Sequence, residues 1–149
     1  MDLRELLRLQ LADVKVSVNN WEDAVRAAGD LLVKDDAVEP RFIEAMIQVA
    51  KDLGPYIVIA PGIALPHARP EDGVKRTSIS MITLTHPVEF GNEFNDPIHL
   101  VVALAATDHE QHVNGLADLA KVLSKEDNVE RLKTVATIDE LIAIMLEGD

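Results

Sequence analysis

The sequence predicts an α/β fold, a mixed β-sheet flanked by helices on both faces. Three observations carry that expectation. Segments with apolar residues on one helical face alternate along the chain with short β-branched runs. Two of those runs, Tyr56-Ile57-Val58-Ile59 and Ile98 to Leu104, are almost continuously apolar, as in strands covered on both faces. The 149 residues, 48% of them hydrophobic, match one domain of about 100–150 residues and suffice for one core. No low-complexity tract, Gly/Ser linker or internal repeat divides them, so one domain over residues 1–149 is expected.

Val14-Lys15-Val16-Ser17-Val18 alternates strictly, which predicts a strand with one solvated face. Trp21, Ala24, Val25, Ala28, Leu31 and Leu32 then fall on one face of a helix that Asn19 or Asn20 can cap. A second helix starts near Pro40, carries Phe42, Ile43, Met46, Val49, Ala50 and Leu53 inward, and stops at Gly54. The Tyr56–Ile59 run follows, then a β-branched strand from Ser78 to Thr85, then Ile98–Leu104. Thr107-x-x-Glu110 has the form of a capping box and predicts a helix burying Val113, Leu116, Ala117, Ala120 and Leu123. Thr137-x-x-Glu140 opens a last helix with Ile138, Leu141, Ile142, Met145 and Leu146 on one face.

Composition excludes several functions. With 26 acidic and 14 basic residues the net charge is −12, and no Lys/Arg cluster offers a footprint for phosphates, so no nucleic acid is expected as partner. Aromatic residues, at 3%, are too few for base-stacking platforms. The absence of cysteine removes disulfides, thiol nucleophiles and thiolate zinc sites. Apolar stretches are broken by Pro55, Pro61, Pro66 and Pro97, and the first residues carry charges rather than an apolar leader, so a cytoplasmic protein is expected.

Two segments carry candidate chemistry. Around His67, Pro61, Pro66 and Pro70 stiffen the chain, and Pro66 removes a donor directly before the histidine. A stiff loop holding one imidazole suits a nucleophile offered to a partner, since little ordering entropy is left to lose on docking. The alternative is an ordinary loop histidine. After the Ile98–Leu104 strand, His109 and His112 fall in the first turn and a half of the helix predicted from Thr107. Free N–H groups and positive dipole there favour a phosphate and disfavour a charged imidazole. A metal reading would join His109 and His112 with Asp108 or His67, but the histidines lack the i, i+4 spacing of H-E-x-x-H, and no metal is expected. His86, before Pro87, marks a strand end, and His99 reads as structural.

Three blocks in order point to a family: Gly62-Ile63-Ala64-Leu65-Pro66-His67, then Phe90-Gly91-Asn92 with Asn95-Asp96-Pro97, then Leu104-Ala105-Ala106-x-Asp108-x-x-x-His112. The chain resembles the cytoplasmic enzyme IIA components of the bacterial phosphoenolpyruvate-dependent sugar phosphotransferase system, mannitol–fructose class. The stretch from Pro55 to Gly62 running into Ala68-Arg69-Pro70 looks most like the L-ascorbate-specific branch. The resemblance implies a phosphorylatable histidine at His67 and a second active-site histidine at His112. Phosphoryl would arrive from phospho-HPr and leave to the cognate IIB component, which serves a membrane IIC transporter. The mannitol branch also has an upstream Arg and a loop Glu, where this chain offers Lys51 and Pro61, and Arg69 could supply charge from the other side. No nucleotide-binding loop occurs and no cofactor is expected, since phosphoryl transfer between imidazoles is mostly positioning and charge stabilisation. Two rivals stand beside this reading: a regulatory domain signalling through phosphorylation of His67, and a metal-dependent hydrolase.

Overall fold

The computed structural model describes residues 6–147. Its strands are β1 (Ala12–Val16), β2 (Val58–Ala60), β3 (Ile63–Ala64), β4 (Ser78–Val88) and β5 (Ile98–Ala105). The helices are α1 (Trp21–Lys34), α2 (Arg41–Leu53), α3 (His109–Leu123), α4 (Glu126–Lys133) and α5 (Ile138–Leu146). The strands form one sheet in the order β1-β4-β5-β3-β2. It is mixed: β4 runs parallel to β1 and antiparallel to β5, while β3 runs parallel to β5 and antiparallel to β2.

Strand β5, at the centre, explains the two-sided pattern. Side chains alternate across a strand, so Val101, Ala103 and Ala105 join the core under α1 and α2. Leu100, Val102 and Leu104 join the core under α3, α4 and α5. Helices therefore cover both faces, as the sequence predicts. Among the described residues no helix is long and apolar enough to cross a membrane.

Three helix ends are stopped or capped where they are expected. Asn20, rather than Asn19, caps α1, its side chain accepting from the Asp23 amide at 2.9 Å. Gly54 ends α2 at φ +67°, a conformation open to glycine. Thr137 caps α5 by accepting from the Glu140 amide at 3.1 Å. Gly29 has a packing role: a Cβ there would sit 2.7 Å from Ile43 Cγ1, so its bare backbone lets α1 lie against α2.

Several boundaries differ from the sequence reading. The first strand lies at Ala12–Val16, not from Val14 to Val18, because its pairing to β4 starts at Ala12 opposite Met81. Residues Gly54–Ile57 form a 3₁₀ turn before β2, since Pro55 has no N–H for a ladder, and the Ile57 carbonyl accepts from Leu65 N at 2.7 Å. Strand β4 runs on past Thr85 to Val88, with Thr85, His86 and Pro87 exposed. Leu53 is exposed rather than inward-facing. Helix α4 was not expected at all. In α3 the buried residues are Gly115, Leu119, Val122 and Leu123, while Val113, Ala117 and Ala120 face out. That helix is capped one residue later than predicted, by Asp108, whose carboxylate accepts from the Gln111 amide at 2.8 Å.

Candidate active site

Both candidate histidines are held at the C-terminal end of β5. Strand β3 pairs with β5 through Ile63 opposite Leu100 and Ala64 opposite Val101. The pairing resumes as a single parallel bridge between His67 and Leu104, with Leu104 N donating to Pro66 O at 3.1 Å. Past the histidine, Ala68 is buried and the Asp72 carboxylate accepts from Arg69 N at 2.9 Å. The loop is thus tied down on both sides of His67, in addition to its prolines.

That anchoring fixes the proton on the ring. His67 Nδ1 lies 2.8 Å from the Leu65 carbonyl oxygen. A carbonyl can only accept, so Nδ1 carries a hydrogen, and in the neutral ring the lone pair is left on Nε2. The loop therefore presents an imidazole with its outer nitrogen ready to attack.

His112 sits on the first full turn of α3, its amide donating to Asp108 O at 3.0 Å. Its ring faces His67, with centroids 5.2 Å apart and planes tilted by 59°. Burial first, then repulsion between the protonated ring and the neighbouring imidazoles of His67 and His109, holds its pKa below the usual histidine value. The shift favours the neutral ring, the direction expected from its place at a helix start, with burial as the main cause. His112 Nδ1 is buried without a hydrogen-bond partner among the described residues. An orphaned N–H is rarer in proteins than an orphaned acceptor, which favours the tautomer with the proton on Nε2. His112 in that tautomer offers one N–H donor, on a ring whose centroid lies 5.2 Å from that of His67.

The start of α3 is locked to β4 by a network the sequence reading missed. Thr77, directly before β4, accepts from Thr107 N at 3.1 Å through its hydroxyl, which also bonds the Gln111 side-chain oxygen. Gln111 Nε2 in turn donates to the capping Asp108 carboxylate at 3.3 Å. Thr107 and Gln111 are one helical turn apart and could have been paired from spacing. Thr77, 30 residues upstream, carries no such signal.

Two hollows flank the histidine pair. One of about 510 Å³ is lined by Arg69, Glu71, Thr107, Asp108, His109 and His112, among others. The other, about 320 Å³, is lined by Val49, Leu53, His67, Ala68, Arg69 and His112, with Asp52. Arg69 and His112 border both. Lys51 and Pro61 are exposed and line neither. His109 is exposed at the edge of the larger hollow and does not join the pair. His99 lies five residues before Leu104 on β5, about 16 Å along the strand, where burial and then Lys133 lower its pKa against an opposing pull from Glu130. His86 is exposed near the end of β4. Among the described residues, no group of three or more His, Asp or Glu side chains is disposed to hold a metal ion.

A mixed α/β sheet with two imidazoles 5.2 Å apart on its rim is an arrangement chemically suited to carrying a phosphoryl group. The chain belongs to the phosphoenolpyruvate-dependent sugar phosphotransferase system EIIA 2 family, whose family model matches residues 5–148. Members of this family are phosphotransferase components. The ascorbate-specific PTS system EIIA component of Salmonella choleraesuis (strain SC-B67) is 40% identical over 133 residues, 89% of this chain and 86% of that protein. The solution structure of the mannitol-specific cryptic phosphotransferase enzyme IIA CmtB from Escherichia coli superposes with a TM-score of 0.88 at 31% identity, covering 99% of this chain and all of that one. The mannitol IIA in its complex with phosphorylated IIB from Escherichia coli superposes with a TM-score of 0.81 at 29% identity, covering 93% of this chain and 96% of that one.

Proposed function

We propose that this chain, as a single cytoplasmic domain, accepts a phosphoryl group from phospho-HPr on His67 and passes it to a cognate IIB component. That component would serve a membrane IIC transporter taking up L-ascorbate. The observation that carries the reading is the Nδ1–H···O=C bond from His67 to Leu65, which in the neutral ring puts the lone pair on Nε2, in an imidazole whose centroid lies 5.2 Å from that of His112. The sugar is supported by the name of the ascorbate-specific relative, and a IIB partner by the complex formed by the mannitol homologue. The same name favours transport over a purely regulatory role.

In the forward step the Nε2 lone pair of His67 forms a bond to phosphorus as the P–N bond of the donor imidazole breaks. The electrons of that bond stay with the donor nitrogen. With the donor ring already protonated at its other nitrogen, it leaves neutral. His67 keeps its Nδ1 proton, and the positive charge that its ring acquires is stabilised by the Leu65 carbonyl at 2.8 Å. No proton crosses the site and the balance needs no metal or cofactor. His112 donates its N–H to a phosphoryl oxygen without becoming phosphorylated. In transfer to IIB a nucleophile of that component forms the new bond to phosphorus as the His67 Nε2–P bond breaks, and the electrons of that bond return to Nε2.

The test is incubation with phosphoenolpyruvate, enzyme I and HPr, followed by assay of acid-labile phosphate and its discharge on adding the ascorbate IIB. The expected result is one labelled histidine, absent from His67→Ala. Equal labelling of that variant and the parent would overturn the assignment.

A further inference from the structure

We propose that Arg69 is a catalytic residue of this carrier, its guanidinium gripping the phosphoryl oxygens while the group resides on His67. The proposal rests on the role given to His67 above.

Position comes first. Arg69 follows His67 by two residues, in extended backbone at φ −81° and ψ 155°, and the Asp72 carboxylate fixes its amide. It borders both hollows, sharing the smaller one with His67 and both with His112. Apart from histidines, it is the sole cationic side chain lining either hollow among the described residues.

Its bonding state is the second observation. Each of the other five arginines with described structure has a guanidinium nitrogen within 3.3 Å of an acceptor oxygen: Arg8 on Asp35, Arg26 on Glu44, Arg41 on Glu39, Arg76 on Asp35 and Arg131 on Glu147. Arg69 differs. Its Nε lies 3.7 Å from Glu71 and 3.6 Å from Asp72, ion pairs too long to be hydrogen bonds. No terminal guanidinium nitrogen of Arg69 has a hydrogen bond among the described residues. The two carboxylates restrain the arm from its Nε side and leave the outer fork open.

The chemistry needs such a group. A phosphoryl group carries close to two negative charges, and this chain has a net charge of −12, so the surrounding field opposes loading. His112 supplies a neutral donor but no charge. A planar fork of two parallel N–H groups fits two phosphoryl oxygens at once, which a lysine cannot reproduce. When a partner docks over the hollows and excludes water, the same charge acts in a lower dielectric and its effect grows.

The test compares the parent, Arg69→Gln and Arg69→Lys by rapid quench over a range of phospho-HPr concentrations. The expected result is a saturating loading rate lowered on the order of 100-fold in Arg69→Gln, with the half-saturating concentration little changed. Arg69→Lys should recover part of that rate, since charge returns without the fork. In ³¹P spectra, the phosphoryl group of loaded Arg69→Gln should titrate at higher pH than that of the parent. A variant that loads and discharges at the parent rate, or one whose whole defect lies in the half-saturating concentration, overturns the proposal. The side chain is 73% exposed, and should Arg69→Gln nevertheless fail to fold by circular dichroism, the same reading is taken from Arg69→Lys alone. A parent that takes no label sinks the His67 reading and this one with it, whereas a labelled parent with an unimpaired Arg69→Gln sinks only the arginine.

Discussion

Replacing His112 with alanine is the sharpest perturbation of the pair. The ring lies 5.2 Å from His67, centroid to centroid, and its sealed Nδ1 leaves a single N–H to donate. Loss of one donor at a fully enclosed oxyanion site costs roughly 3–4 kcal/mol of transition-state stabilisation. Here both neighbouring hollows are open, so water replaces part of the lost bond. A cost of about 2 kcal/mol is therefore expected, or transfer about 30-fold slower. Both directions should suffer alike, because the phosphoryl group passes the same donor entering and leaving. His112→Gln, whose amide can still donate, should recover about half of the loss in free energy. The assay is rapid-quench loading from phospho-HPr and discharge to IIB, on variants matched for thermal stability. His109→Ala, at an exposed position on the rim of the larger hollow, is the control. Parent rates for His112→Ala in both directions, or greater damage from His109→Ala, would refute the reasoning.

Three further outcomes are expected. Thr77→Val removes the hydroxyl joining Thr107 N to Gln111, so transfer should slow severalfold in the same quench assay, and Thr77→Ser should restore it. Gly29→Ala puts a Cβ 2.7 Å from Ile43 Cγ1 and should destabilise the fold by about 1–3 kcal/mol in urea titration while leaving phosphorylation of the folded fraction intact. The His112 ring should titrate in NMR below 6.5, and the stability consequence has a definite sign. The folded chain binds fewer protons there than the unfolded one, so this contribution is complete above pH 6.5 and is lost as pH falls toward the lower folded value. His112→Gln should flatten that part of the urea midpoint against pH, and an unchanged slope would contradict the burial argument.

The contrast between α1 and α4 indicates what local sequence can carry. Helix α1 has a capping Asn20 and a stripe of Ala24, Val25, Ala28 and Leu32, all readable within 14 residues. Helix α4 offers EDNVERLK, and what holds it is tertiary: buried Leu132, and buried Asn128 donating to the Val122 carbonyl at 3.1 Å. In α3 the misread face involves Val113 and two alanines. Ala117 and Ala120 are small enough to be nearly indifferent to exposure, so docking of Leu119 and Leu123, not the count of apolar residues, sets the rotation. At the site, prolines flag His67, the helix start flags His109 and His112 alike, and only the family resemblance separates His112 from its neighbour. The tautomer of His67 depends on a carbonyl brought to it by the path of the loop, which no pattern of side chains encodes. The tether at Thr77 is equally silent because it joins segments distant in the chain.

The hydrogen bond between His67 and Leu65 has a consequence for regiochemistry. An imidazole can form two phosphoramidate isomers, and enzymes or reagents that distinguish them see different proteins. In this loop the choice belongs to the main chain, because the acceptor that occupies Nδ1 is a peptide oxygen two residues back. Exchanging Leu65 for another side chain leaves that oxygen in place, so the Nε2 isomer should persist through such changes. Altering the path of the peptide is what would release it. Pro66, whose fixed φ helps set the angle between Leu65 and His67, is the residue through which a mixture of isomers could be introduced.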